Sequence, residues 1–294
     1  MTEWTEWILH SLLDTAKLLP FLFLTYLLME FLEHKSGDAA GRLLRRSGKI
    51  GPLLGGALGV VPQCGFSAAA SGLYAGRLIT VGTLLAVYLS TSDEMLPILL
   101  SSGASLPFIL GVLGCKLAIG VLVGFAVDFV FRLFRRKRQT DEPCIEAICE
   151  REHCKCGEHF VLSALKHTLR IAVFLLIVTF LLEAAVHLIG EERIASLVLN
   201  RPVLGNLLAA VVGLIPNCAS SVLLTELYLS GVISIGSMLS GLLVNAGVGL
   251  LVLFRTNRPV SDSVRVLAIL WCTGMVSGLL IDVSPLAGWL NGLL

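Results

Sequence analysis

The chain has 294 residues, 55% of them hydrophobic and 15% charged, with a formal net charge of +1. Soluble domains carry about 25% charged residues, so a mean hydropathy of +0.86 excludes that class. The apolar runs reach the roughly 20 residues that a bilayer crossing requires. Met1 to Trp7 is acidic and aromatic where a secretory signal would be basic, and Trp4 and Trp7 suit an interfacial belt. The first apolar segment runs from about Leu12 to Phe31, and a loop with Lys35, Arg42, Arg45, Arg46 and Lys49 follows. Gly51 to Gly76 is apolar but interrupted at Pro62-Gln63-Cys64-Gly65. Two segments then read as uninterrupted, about Leu78 to Ser102 and Leu106 to Phe134. After a polar centre, from Arg135 to about Phe160, the order repeats. An apolar segment (about Ser163 to Ile189) and a broken one (about Leu204 to Ser230) precede spans at about Val232 to Phe254 and Val264 to Leu290.

The repeat is legible residue by residue. An offset of 154 carries Gly51, Gly59, Pro62, Cys64, Ser67 and Tyr74 onto Gly205, Gly213, Pro216, Cys218, Ser221 and Tyr228. The same offset carries Gly82, Gly120, Gly124 and Asp128 onto Gly236, Gly274, Gly278 and Asp282. Matched Pro, Cys and Tyr in one order mark an internal duplication. Positive charge sets orientation. If each broken segment crossed the membrane fully, Arg135, Arg136, Lys137 and Arg138 would face away from the loop Lys35 to Lys49. If each is a re-entrant hairpin, both basic loops are cytoplasmic, as is the loop with Arg255, Arg258 and Arg265.

The expected fold is therefore all-α: a polytopic membrane protein of two inverted repeats, each with three transmembrane helices and a re-entrant helical hairpin. Residues 1–134 form the first repeat, 135–160 a cytoplasmic loop and 161–294 the second repeat. Both termini are expected outside.

Paired broken segments in inverted repeats point to a transporter's midplane site. The tips are Pro62 to Ser67 and Pro216 to Ser221. Proline ends each incoming half-helix, and serine can cap the outgoing one. The candidate substrate residues are Gln63, Cys64, Ser67, Asn217, Cys218 and Ser221, with Asn245 nearby. Paired thiols at matched breaks favour a site, whereas Cys115 and Cys272 read as small buried residues. In Ser90-Thr91-Ser92-Asp93-Glu94 the two acids lie about 15 Å inside the membrane at 1.5 Å per residue. Asp93 and Glu94, with Lys116 at similar depth, form either a neutral packing bridge or a cation and coupling site. Glu226 also falls within the membrane, and the Gly pairs four apart permit close helix packing. In the centre Cys144, Cys149, His153, Cys154, Cys156 and His159 suit a thiophilic metal, or else form a linker with incidental thiols.

With its paired Pro-x-Cys tips, its Ser-Thr-Ser-Asp-Glu stretch and its Cys/His-rich centre, the chain resembles the ten-helix heavy-metal exporter family related to the ArsP permeases over nearly its whole length. Members are labelled arsenic efflux proteins or manganese transporters. The resemblance implies a metal or metalloid cargo, with Cys64, Cys218, Asp93 and Glu94 as leading ligands. The expected function is secondary-active export of a divalent metal or metalloid by alternating access, in the inner membrane. A transporter of a small organic or inorganic anion is the alternative, and an intramembrane thiol enzyme a third reading from another class. No P-loop is present, and neither catalysis, a cofactor nor a nucleic-acid partner is expected. The partners are the cargo and the bilayer, with self-association into a homo-oligomer left open.

Overall fold

The computed structural model describes residues 19–20, 23–24, 27, 50–61, 64–92, 95–134, 165, 168–177, 180–181 and 202–294. Every regular element among them is an α-helix. In the first half these are α1 (Ile50–Gly59), α2 (Cys64–Ala75), α3 (Val81–Ser90), α4 (Met95–Ser101) and α5 (Leu106–Phe134). Then follow α6 (Thr168–Ile177), α7 (Pro202–Gly213), α8 (Cys218–Leu229), α9 (Ile235–Val244) and α10 (Val248–Thr256). The chain closes with α11 (Val260–Val283) and the short α12 (Pro285–Asn291).

The duplication read from the sequence governs the element boundaries. Both ends of α2 and α3 coincide with those of α8 and α9 at the offset of 154. Capping is duplicated as well. Thr80 caps α3 by accepting the Thr83 amide, and Ser234 caps α9 by accepting the Ser237 amide. A carboxylate from the following long helix completes each cap. Asp128 accepts the Gly82 amide at 2.9 Å and the Thr80 hydroxyl at 2.7 Å. Asp282 accepts the Gly236 amide and the Ser234 hydroxyl, both at 2.8 Å, and adds the Asn206 side-chain amide at 2.8 Å. A carboxylate at a helix N-terminus meets unpaired amides and the positive end of the dipole together.

Glycine lets these helices approach. A Cβ on Gly124 would lie 2.6 Å from the Gly82 carbonyl oxygen, and one on Gly278 would lie 2.5 Å from that of Gly236. The α3–α5 and α9–α11 crossings are thus built on the same small-residue contact, as the glycine spacing implies. Contacts between the halves are reciprocal. Helix α2 packs on α10, its counterpart α8 packs on α4, and α3 packs on α9.

Four stretches are long and apolar enough to cross a membrane: Val81–Ser101, Leu106–Leu133, Ile235–Thr256 and Val260–Val283. The first and third are largely buried, whereas the second and fourth expose most of their length. Leu110, Leu122, Phe129 and Leu280 stand on that outer surface, where lipid tails would meet them. Two spans that read as continuous are broken. Helix α3 stops at Ser90 and the next helix starts at Met95, while α9 stops at Val244 and α10 starts at Val248. The last span is also divided, ending at Val283 before α12. Hydropathy does not reveal the second break, since the span Ile235–Thr256 keeps a mean of 2.0, whereas the span with the first falls to 1.2.

Candidate functional site

Two kinds of interruption converge on the interior. The first is the pair of proline tips. Helix α1 ends at Gly59 and α2 begins at Cys64; α7 ends at Gly213 and α8 begins at Cys218. The second kind is the pair of breaks after α3 and α9. Val81–Ser101 is 21 residues and Ile235–Thr256 is 22. At 1.5 Å per residue each spans about 32 Å, close to the roughly 30 Å of a hydrocarbon core. A break ten residues from the start therefore falls near the middle of each span. Non-helical backbone at that depth is tolerated only inside protein or along a wet cavity. Burial accords with this: Thr91, Ser92, Asn245, Ala246 and Gly247 are all buried.

Tips and breaks touch. At the first, the Ser92 hydroxyl donates to the Val60 carbonyl at 2.6 Å, tying the α3 break to the end of α1. At the second, Asn245 Nδ2 donates to Ser220 Oγ at 3.2 Å, and Asn245 Oδ1 accepts the Gly247 amide at 3.0 Å. Gly247 makes that turn with φ of 54°, a left-handed conformation that favours glycine. Ser220 Oγ in turn lies 2.8 Å from the Asn217 carbonyl and 3.2 Å from that of Ile215. The N-cap of α8 is Asn217, which makes no side-chain cap bond, and Ser220 turns to these tip carbonyls. Asn217 is buried and its Nδ2 has no hydrogen-bond partner.

The halves also meet here. Ser67, fully buried on α2, packs against the backbone of Gly249 on the far side of the second break. Ser71 Oγ lies 2.8 Å from the Gly249 carbonyl and 2.6 Å from the Tyr88 hydroxyl, which is 3.1 Å from that same carbonyl. Lys116, on α5, is 1% exposed and donates to the Leu242 carbonyl at 2.9 Å. Its ammonium therefore reaches the C-terminal end of α9, in the other half.

Of the residues singled out from sequence, Ser67, Asn217, Ser221, Asn245 and Lys116 are buried at or beside these interruptions. Cys64 and Cys218 open α2 and α8, while their side chains, Gln63, Asp93, Glu94 and the loop from Cys144 to His159 lie outside the described residues. Glu226 is exposed on α8. Cys115 is half-buried and Cys272 exposed, so neither is the buried filler expected of it. Among the described residues, no group of three or more His, Cys, Asp and Glu forms a metal cluster. Sequence reasoning missed Ser71, Tyr88 and Gly249, and gave Ser92 and Ser220 no role of their own within the stretches that hold them. Aligning Thr91-Ser92-Asp93 with Asn245-Ala246-Gly247 across the repeat would have exposed the second pair of breaks.

A family model, ArsP_2, described as "Putative, 10TM heavy-metal exporter", matches residues 129–255 and 161–290, which together cover more than half of the chain. No curated protein and no solved structure matches it.

Proposed function

Since the chain belongs to this family of ten-helix heavy-metal exporters, integral to the membrane, we propose that it exports a divalent metal or a metalloid by alternating access, its cargo held where tips and breaks converge. The observation that carries this reading is the matched pair of breaks after Ser90 and Val244, the first bonded to Val60 at the end of α1 and the second to Ser220 in the tip before α8. Discontinuous helices in paired halves are the usual construction of a secondary transporter's midplane site. In the proposal Cys64 and Cys218 are the soft ligands, while Gln63, Ser67, Asn217, Ser221 and Asn245 line the cargo. Asp93 and Glu94 offer hard ligands and, with Lys116, couple transport to a proton or cation. Carboxylates suit manganese and thiolates suit softer ions, so the two ligand types together favour a metal or metalloid over an organic solute.

The repeats are inverted in this proposal, with re-entrant hairpins, both termini outside and the inner membrane as host. The basic residues Arg255, Arg258 and Arg265 support a cytoplasmic face at that end. Residues 135–160, with Cys144, Cys149, His153, Cys154, Cys156 and His159, are proposed to capture metal on that side. One observation favours the anion alternative. The unpaired Asn217 Nδ2 and the α8 N-terminus are both donors, and they suit the oxygens of an oxyanion, arsenite-type species included.

The test is metal binding by purified protein across manganese, zinc, cobalt, copper(I) and arsenite. Wild type is compared with Cys64→Ala/Cys218→Ala and with a deletion of 141–159. Binding that survives the deletion and is lost in the double-cysteine variant is the expected result. Binding by neither region would turn the search to anions.

A further inference from the structure

Each half-helix that leaves a tip carries, near its far end, a tyrosine that meets the other half. Tyr74 lies ten residues beyond Cys64 on α2, and Tyr228 ten residues beyond Cys218 on α8, so each stands about 15 Å from its tip. The Tyr74 hydroxyl donates at 2.6 Å to the carboxylate of Asp262, in the first turn of α11. The Tyr228 ring stacks on that of Phe108, in the first turn of α5, with centroids 5.8 Å apart. These are one contact made twice, because the offset of 154 carries Tyr74 onto Tyr228 and Phe108 onto Asp262.

The two contacts sit at opposite ends of α11, a helix of 24 residues and about 36 Å. Asp262 opens that helix. Tyr228 donates its hydroxyl at 2.8 Å to Asn291 on α12, which follows the other end of α11 and packs back on both α11 and α5. There Ser105, just before α5, also donates its hydroxyl to the Leu293 carbonyl.

Their chemistry differs. The Asp262 oxygen that accepts Tyr74 also accepts Asn257 Nδ2 at 3.1 Å and lies 3.5 Å from the Arg77 guanidinium. Arg77 donates in addition to the Arg258 carbonyl at 3.0 Å. Against Tyr228 the matching surface is a fully buried hydrocarbon ring. The backbone singles out Arg77. Its φ is 61°, and its counterpart at the end of α8 is Gly231, with φ of 75°. Their amides return to Tyr74 and Tyr228 alike, both at 2.9 Å. A left-handed residue suits glycine and strains arginine, so the first half holds a guanidinium here against the preference of its own turn.

We propose that these contacts are the two gates of the transport path: an ionic gate of Tyr74, Arg77 and Asp262 at one end, and an apolar gate of Phe108 and Tyr228 at the other. Opening one shifts the population toward closure of the other, and only the ionic gate answers to electrolyte. As gates of a path they rest on the transport reading above, but their coupling is testable with no cargo present.

The experiment is hydrogen–deuterium exchange, read by mass spectrometry on the purified full chain in nanodiscs without metal. Local opening sets how fast protected amides exchange. Arg77→Gly removes the guanidinium and suits the left-handed turn, so the variant should fold. It should speed exchange in 71–79 and 257–264 by about threefold or more, and slow it in 105–112 and 225–233. Phe108→Leu removes the ring stack, keeps apolar bulk and should do the reverse. Added salt should move wild type in the direction of Arg77→Gly. Faster exchange at the altered end alone, or at both ends together, would overturn the coupling. A salt response that is absent or equal at the two ends would overturn the ionic assignment. A wild type inert to every metal, with reciprocal exchange intact, would sink the cargo and keep the gates. Metal transport by a chain whose two ends exchange independently would do the opposite.

Discussion

Removing Asp282 tests how the two halves hold their broken helices in place. Its carboxylate accepts three donors: the Gly236 amide, the Ser234 hydroxyl and the Asn206 side-chain amide, each at 2.8 Å. Asp128 accepts two, from Gly82 and Thr80. Hydrogen bonds to a charged acceptor contribute about 1.5–3 kcal/mol in soluble proteins, while cross-helix bonds in membranes average about 0.6 with a maximum near 1.7. Taking about 1–1.3 kcal/mol per donor from that range, Asp282→Ala should destabilise by about 3–4 kcal/mol and Asp128→Ala by about 2–3. Asparagine at either position keeps one acceptor oxygen and sets an NH2 group against a donor, so it should recover less than half. The consequence reaches the site, because the cap is where each half-helix starts and the break lies ten residues, about 15 Å, beyond it. The assay is reversible unfolding in mixed micelles, with the midpoint and slope read separately. Alanine variants within about 0.5 kcal/mol of wild type, or Asp128→Ala costing more than Asp282→Ala, would refute the reasoning; surface changes normally fall inside that band.

Arg77 and Asp262 form a part-exposed ion pair at 3.5 Å, so a double-mutant cycle should give a coupling below about 1 kcal/mol. Tyr74→Phe should cost more, about 1.5 kcal/mol, because its hydroxyl donates to the Asp262 carboxylate at 2.6 Å; equal effects in the two tests would contradict that order. Gly124→Ala should destabilise by about 1–3 kcal/mol through overpacking against Gly82 and Pro52. Gly114→Ala, which would meet nothing within 4 Å, should be nearly neutral in the same melt. Ser92→Ala removes the bond to Val60 and should cost about 1 kcal/mol, with slower transport wherever the α1 end helps set the tip.

Much of the architecture was legible before any coordinates. Long apolar runs announce spans, and Pro216 marks the end of α7 because proline offers no amide and clashes with the preceding turn. The match of Gly124 to Gly278 signalled the two close crossings. The breaks after Ser90 and Val244 were not legible, because they contain no proline. Gly247 is one of 29 glycines, and nothing local marks it as one of the three with positive φ among the described residues. Asp128 and Asp282 stood out as a repeat match without a role, since their partners Thr80 and Ser234 lie 48 residues earlier in each half. The partnership of Lys116 with Asp93 and Glu94 expected from sequence lies outside the described residues. The contact of Lys116 with Leu242 belongs to the packing between halves, 126 residues apart in sequence, and no local pattern encodes it.

The central claim is tested most directly by transport. Purified protein is reconstituted into proteoliposomes, and uptake of manganese, zinc, cobalt, copper(I) and arsenite is followed, with Cys64→Ala/Cys218→Ala beside wild type. The account predicts saturable uptake of at least one of these cargoes, falling by about tenfold or more in the double-cysteine variant while its unfolding midpoint is kept. No uptake of any of them, or uptake indifferent to the two cysteines, would contradict it.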